Sequence, residues 1–178
     1  ERCGVVNIGI EGMMTIGAFT GAVMGLTTGN GWIAFLCAGL AGALFGLIHA
    51  FVCISCHADQ TIAGTAINFL GPGLALFLCK AMYNNSSDTP AMDPSCKLPK
   101  LFEGVFPTGS FWNNVLNVYA VAYLVFILAF VCWFVFYKTK FGAHLRAVGE
   151  HPEACESLGI DVYKVRYTCV ILSGFFAG

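Results

Sequence analysis

Residues 115–137 read VLNVYAVAYLVFILAFVCWFVFY, without one charged side chain. As a helix this run rises about 35 Å, against a bilayer hydrocarbon core of roughly 30 Å. A helix on the surface of a soluble domain needs a charged or polar face towards water. This run offers none, so it constrains the chain to a membrane-spanning class.

Three more segments meet the same requirement. Residues 32–54 carry His49 as their one ionisable group besides cysteines, residues 5–27 carry Glu11, and residues 61–79 contain Gly-Pro-Gly at 71–73. A fifth apolar segment starts near Val165 and runs to SGFFAG at the end of the given sequence. Charged residues make up 11% of the chain, against roughly 25% in soluble domains. The expected fold is all-α, a polytopic transmembrane helical bundle forming a single domain over 1–178, with about four full spans and part of a fifth. The opening ERCGVVNIGIEG and the apolar close lead us to expect a piece of a longer polytopic chain, truncated at both ends.

The net charge of −1 leaves no basic stripe for nucleic acid. Most of the nine cysteines sit inside apolar runs, where Cys behaves as a small hydrophobe, so no disulfide array is expected. With alternating spans, Arg2, Lys138, Lys140, Arg146, Lys164 and Arg166 fall on one side and Lys80, Lys97 and Lys100 on the other. Cytoplasmic segments are richer in Lys and Arg. This bias places the N-terminus and loop 138–164 inside the cell and loop 84–113 outside it.

Small residues recur at close-packing intervals: Gly17, Gly21 and Gly25, then Gly42 and Gly46. In lipid, that spacing lets helix backbones approach one another. Polar residues also recur. Asn7, Glu11 and Thr15 are four apart and predict a ridge on the first helix; Gln60, Thr61, Thr65 and Asn68 predict another on the third. A carboxylate at bilayer depth is expensive unless it faces protein or water. The ridges are therefore expected to face the bundle or a wet cavity, either lining a path for a polar solute or satisfying a neighbour's backbone. Gly71-Pro72-Gly73 predicts either an interrupted helix of the transporter kind or an ordinary proline kink.

Cys53-Ile-Ser-Cys56-His57 fits a haem-attachment pattern, and with Asp59 half a zinc site. A structural zinc site needs four ligands and no second pair at suitable spacing exists, so neither metal nor any other cofactor is expected. Nucleotide-binding and hydrolase signatures are absent from the sequence. The chain is not expected to be an enzyme, and energy for any active transport must come from a partner or a gradient.

The last informative stretch is KFGAHLRAVGEHPEACESLGIDVYKVR, 140–166. Pro152 suits the first turn of a helix, Glu153 and Glu156 favour its positive end, and Gly159 suits its stop. A two-turn helix is predicted, with Ala154 and Leu158 as its apolar face and Ile160 close behind. A helix resting on headgroups is expected to carry Lys or Arg on its polar face; this one carries Glu, which favours a protein partner.

Together NIGIEGMMTIGAFTG (7–21), ADQTIAGTAINFL (58–70) and KTKFGAHLRAVGEHPEACESLGIDVYKVRY (138–167) resemble the membrane permease of a bacterial ABC importer of the simple-sugar and nucleoside type. This is a branch related to the ribose and branched-chain amino-acid permeases. The resemblance runs over nearly the whole chain and is weakest in 84–113. It implies a multi-pass protein of the bacterial inner membrane, with a second permease subunit, a cytoplasmic ABC ATPase and an external solute-binding lipoprotein as partners. Gly149, Glu150, Pro152, Glu153, Ala154 and Gly159 match the family's coupling segment, which docks on the ATPase. His151 stands where the family usually has Asn, and Cys155 where it often has Ala. Asn7, Glu11, Thr15, Thr65 and Asn68 are the expected translocation-path residues. A nucleoside or simple sugar is the expected solute. A branched-chain amino-acid permease, a passive channel and a membrane haem protein are the alternatives.

Overall fold

The computed structural model describes residues 2–91 and 119–178, and its elements are helical. They are α1 (Ile10–Thr28), α2 (Gly31–Ala50) continued by a π-turn (Phe51–Ser55), α3 (Gln60–Met82), α4 (Ala120–Lys138), α5 (Lys140–Glu150), α6 (Pro152–Ser157) and α7 (Val162–Ala177). Among the described residues, α1, α2 with its π-turn, α3 and α4 are long and apolar enough to cross a membrane. The expected loop 84–113 lies mostly outside the described residues.

Local chemistry sets the turns. Gly29 ends α1 at φ 65° with its N–H bonded to the Gly25 carbonyl, a left-handed conformation that Gly adopts without a Cβ clash. Asn30 then caps α2, its side chain accepting from the Trp32 N–H at 3.0 Å. Asp59 caps α3 by accepting from Thr61 and Ile62, at 2.8 and 3.0 Å. Such short connections make neighbouring helices antiparallel.

α2 is the central element, packed against α1 on one side and α7 on the other, with α3 against α1. The recurring glycines sit in these seams. A Cβ on Gly42 would overlap the Gly174 carbonyl, and one on Gly174 would lie 2.5 Å from the Gly42 oxygen. Gly17 similarly faces the Gly178 backbone, while Gly21 meets the Ala38 side chain at 3.3 Å. Backbones in mutual contact gain the dispersion energy that drives helix association in lipid. Gly12 of α1 and Gly71 of α3 make a second such crossing.

Two expectations are corrected. The segment 5–27 is not one helix, because α1 begins only at Ile10. The lead-in before it is extended across the bundle, with Cys3 and Val5 buried against Ala50, Cys53, Ile54, Leu145 and Val170. Its backbone is held by side chains instead of a helical ladder: Val6 N–H donates to Gln60 Oε1 at 2.7 Å, and its carbonyl lies 3.2 Å from Nε2 of the wholly buried His49. The Gly-Pro-Gly alternative of an interrupted helix is also not adopted. α3 runs unbroken through Pro72, so Pro removes one ladder bond, the one to the Asn68 carbonyl.

The lead-in, the α2–α3 turn and the α4–α7 connection meet at one end of the bundle. There the Arg2 carbonyl fills the space where a Gly149 side chain would stand. Arg2, Lys138, Lys140, Arg146, Lys164 and Arg166 all belong to this basic end, while Lys80 ends α3 at the opposite one.

Candidate functional site

The connection between α4 and α7 is built from two helices. α5 was not anticipated as a separate element, although its signal was present: Thr139 is a cap residue, and Gly142, Leu145 and Val148 recur at three-residue intervals. Thr139 Oγ1 accepts from Gly142 N–H at 3.3 Å, and the three residues are buried. Gly142 is required at the corner, because a Cβ there would overlap the Val135 and Phe136 carbonyls.

α6 follows after His151, whose backbone leaves the helical region at φ −139°. Pro152 occupies its first turn, and Gly159, at φ 80°, lies just beyond its end. Ile160 N–H returns to the Cys155 carbonyl at 3.0 Å and closes the turn. The buried face differs from the predicted one. Cys155, 3% exposed, packs against Val148 and Val162 with Ile160 beside them, whereas Ala154 is exposed and Leu158 is 79% exposed. Burial follows Cys155 because the helix is only six residues long and is clamped from both sides by α5 and α7. Its outward surface is therefore apolar at Ala154 and Leu158 and acidic at Glu150, Glu153 and Glu156, all exposed.

A polar cleft of about 430 Å³ separates α6 from the α2–α3 turn. Glu153 and Glu156 line one wall, His57 and Gln60 another, and Arg166 and Tyr163 of α7 the floor. Arg166 Nε donates to the Cys3 carbonyl at 3.3 Å, tying the lead-in to α7. Asp161 caps α7: the Lys164 backbone N–H at 3.0 Å, and then the Lys164 ammonium, hold its carboxyl below the usual carboxylate range.

The five path residues are not brought together. Asn7 lies in the lead-in and not on α1; its Nδ2 donates to Ser173 Oγ of α7 at 3.0 Å, and its Oδ1 is buried without a partner among the described residues. Asn68 holds the start of α1, accepting from Gly12 N–H at 2.9 Å and donating to the Ile8 carbonyl at 3.0 Å. The predicted ridge is thus reduced to Glu11 and Thr15, where the Thr15 hydroxyl donates to the Glu11 carbonyl at 2.9 Å. Thr65 likewise donates to the Thr61 carbonyl. Glu11 and Thr65 are exposed and Thr15 is half-buried. Ser173, which sequence reasoning missed, is the partner that fixes Asn7; a lone Ser in an apolar segment gives no periodic signal.

The Cys53–His57 stretch begins in the π-turn that continues α2 and ends just beyond it. Cys53 is buried within 3.8 Å of the His49 ring nitrogens, and His57 turns back at φ 55° to place Nδ1 2.8 Å from the Ile54 carbonyl.

Membrane-length helices sharing a close-packed core, with a short acidic helix clamped at one end, define a multi-pass membrane protein. The chain belongs to the family described as branched-chain amino acid transport system / permease component, whose model matches residues 1–178. It is 45% identical over 187 residues to the guanosine ABC transporter permease protein NupQ of Bacillus subtilis, covering all of this chain and 57% of that protein. It is 35% identical over 184 residues to the nucleoside ABC transporter permease protein NupC of Lactococcus lactis, again with the whole chain and 57% of the relative covered. A more distant relative is the galactose/methyl galactoside import permease protein MglC of Haemophilus influenzae, 27% identical over 137 residues, 76% of this chain and 38% of that protein. The chain spans a little over half the length of the first two relatives. No solved structure matches it.

Proposed function

We propose that the chain is the membrane-spanning part of an ABC importer permease of a bacterial cell membrane. It gives a nucleoside or simple sugar an inward path powered by a separate ATPase. The observation carrying this reading is α6: a six-residue helix held by one buried Cys, with its acidic and apolar surfaces turned outward at the basic end of the bundle. Basic residues concentrate at cytoplasmic ends, so α6 faces the compartment where an ATPase docks. Because α5 and α7 clamp it, a push on Glu153, Glu156 or Leu158 passes into α7 and through the Gly42–Gly174 seam into α2. Rigid-body rocking of this kind switches access in transporters.

In this reading Gly149, Glu150, His151, Pro152, Glu153, Ala154 and Gly159 form the coupling element. Gly149 seats the lead-in, Pro152 and Gly159 set the helix limits, and Glu150, Glu153 and Ala154 meet the partner. Glu11, Thr15 and Thr65 supply polar surface to the path, while Asn7 and Asn68 fix the entry into α1. The path is completed by a second permease subunit, and solute is delivered by an external binding lipoprotein. Guanosine and nucleoside transport in the names of the relatives supports a nucleoside as solute, and the galactoside permease supports a sugar.

The test exchanges Glu153 and Glu156 for Lys in the full-length permease. ATP-driven nucleoside uptake and co-purification of the ATPase should both fall, with the permease still folded and inserted. Coupling unchanged by the double charge reversal would overturn the role given to α6.

A further inference from the structure

We propose that Cys3 and Cys169 form a peroxide-sensing dithiol, whose oxidation to a disulfide staples the lead-in to α7. The staple is a property of this chain alone; its consequence for transport rests on the reading of α5 and α6 as the coupling element.

The lead-in lies along one face of α7. Arg166 Nε donates to the Cys3 carbonyl at 3.3 Å, and Asn7 Nδ2 donates to Ser173 Oγ at 3.0 Å. Between these contacts Cys3, Val5 and Val170 share one buried cluster, with Cys169 packed against it. Residues 166, 170 and 173 recur at helical spacing, so they form a single face. Cys169 stands within that register, and its thiol is hydrogen-bonded to the Cys3 sulfur. A disulfide needs two cysteines whose backbones already bring the sulfurs together. Among the other described cysteines, Cys53 has the His49 ring nitrogens at 3.7 and 3.8 Å, and Cys155 is buried in a separate cluster.

The two sulfurs are not equivalent. Hydrogen bonding from Cys169 holds the Cys3 thiol well below its ordinary value; burial opposes this, and the Val5 backbone supports it. Cys3 is thus the readier to ionise, and the thiolate is the form that reacts. Both residues line a cavity of about 530 Å³, ample for hydrogen peroxide when a water takes about 30 Å³. The Cys3 thiolate attacks one peroxide oxygen, the O–O bond breaks, and hydroxide leaves and takes up a proton as water. Cys169 then attacks the sulfenic sulfur of Cys3. The S–O bond breaks, and the hydroxyl departs with the Cys169 proton as a second water. The two thiols together lose two electrons, and peroxide gains them.

The staple closes where three elements meet. Gly4, at φ 82°, passes between α7 and α5: a Cβ there would come within 3.3 Å of the Arg166 guanidinium and 3.5 Å of the Gly149 Cα. In the reduced protein, hydrogen bonds and packing hold the lead-in to α7, and such contacts can break when α5 and α7 shift. After oxidation Cys3 is bonded to α7 while Arg2 and Gly4 stay wedged against Gly149, so the three elements move only together. Disulfides exposed to cytoplasmic reductants are transient and redox-sensing, which makes the lock reversible.

The experiment uses the full-length permease in proteoliposomes with its ATPase and binding protein. Hydrogen peroxide is added, free thiols are blocked with N-ethylmaleimide, and the permease is digested and mapped by mass spectrometry without reductant. A peptide pair joining Cys3 to Cys169, two hydrogens lighter than its parts, should appear with peroxide and vanish with dithiothreitol. ATP-driven nucleoside uptake should fall about fivefold as the linkage forms, because the access change is blocked, and should return on reduction. In Cys3→Ser and in Cys169→Ser, peroxide should leave uptake unchanged. Alkylation of both thiols after peroxide, linkage of Cys3 to Cys53, or overoxidation of Cys3 beside a free Cys169 would each overturn the proposal. Complete linkage with undiminished ATP-driven uptake would overturn the sensing role. Uptake that needs no ATP would instead strike the coupling reading, with the staple still decided by the peptide map. That map is read on the unmutated protein, so a variant that fails to fold leaves the test intact.

Discussion

Asn68 caps α1 from the neighbouring helix: its Oδ1 accepts the Gly12 N–H at 2.9 Å while its Nδ2 donates to the Ile8 carbonyl at 3.0 Å. Gly9, at the N-cap position, has no side chain for the task. One amide thus satisfies an orphan N–H donor of the helix start and a carbonyl of the lead-in, and joins α3 to the lead-in.

Asn68→Ala should therefore destabilise the protein by about 2 kcal/mol, since two backbone groups lose their partner where water is scarce. Asn68→Asp, which keeps the acceptor alone, should fall between the two. Thr65→Ala, which removes only a bond within α3, should matter less. Thermal unfolding in detergent ranks the three, and equal Tm values for Ala at 65 and 68 would refute the cross-helix cap.

The Gly-Pro-Gly stretch contains one critical and one dispensable glycine. A Cβ on Gly71 would overlap the Gly12 backbone, whereas nothing lies within 4 Å of one on Gly73. Gly71→Ala should force α1 and α3 apart, with a loss of about 1–3 kcal/mol. Gly73→Ala should be neutral or slightly stabilising, because Ala is the better helix former. Comparable losses at both sites would mean that flexibility around Pro72, and not the crossing, is what glycine provides.

Leu158 separates docking from folding. At 79% exposed it contributes little to the described core, so Leu158→Ser should change stability by no more than about 0.5 kcal/mol. ATP-driven uptake should fall about tenfold if Leu158 anchors the partner. Cys155→Asp should do the reverse and unfold the α5–α6–α7 corner, because it would bury a carboxylate among Val148, Val162 and Ile160. Uptake assays set against Tm resolve the two effects.

Acid should loosen the caps. Backbone N–H groups, Ile62 before Thr61 for Asp59 and Lys164 for Asp161, hold both carboxyls below their usual range. A carboxyl lowered on folding contributes stability that is complete above the ordinary carboxylate value and lost as pH falls through the folded one. These two groups should leave Tm flat from pH 7 to about 5 and lower it below about pH 4. Asp59→Asn with Asp161→Asn keeps the caps and should flatten that acid slope in a Tm–pH series.

What the sequence determined by itself was everything set by composition along one helix. The uncharged run ending at Tyr137, the glycine intervals, Pro152 in the first turn of α6 and Gly159 beyond its end were legible, because each depends on bilayer thickness or local backbone sterics. The tertiary structure alone decided which residues meet across elements. It pulled Asn7 out of the first helix towards Ser173, turned Asn68 into a cap for α1, and buried Cys155 in place of Leu158. It also kept α3 whole through Pro72. Partners distant in sequence, such as Asn7 and Ser173, leave no periodic trace, since helix packing and backbone satisfaction are settled only when the elements come together in three dimensions.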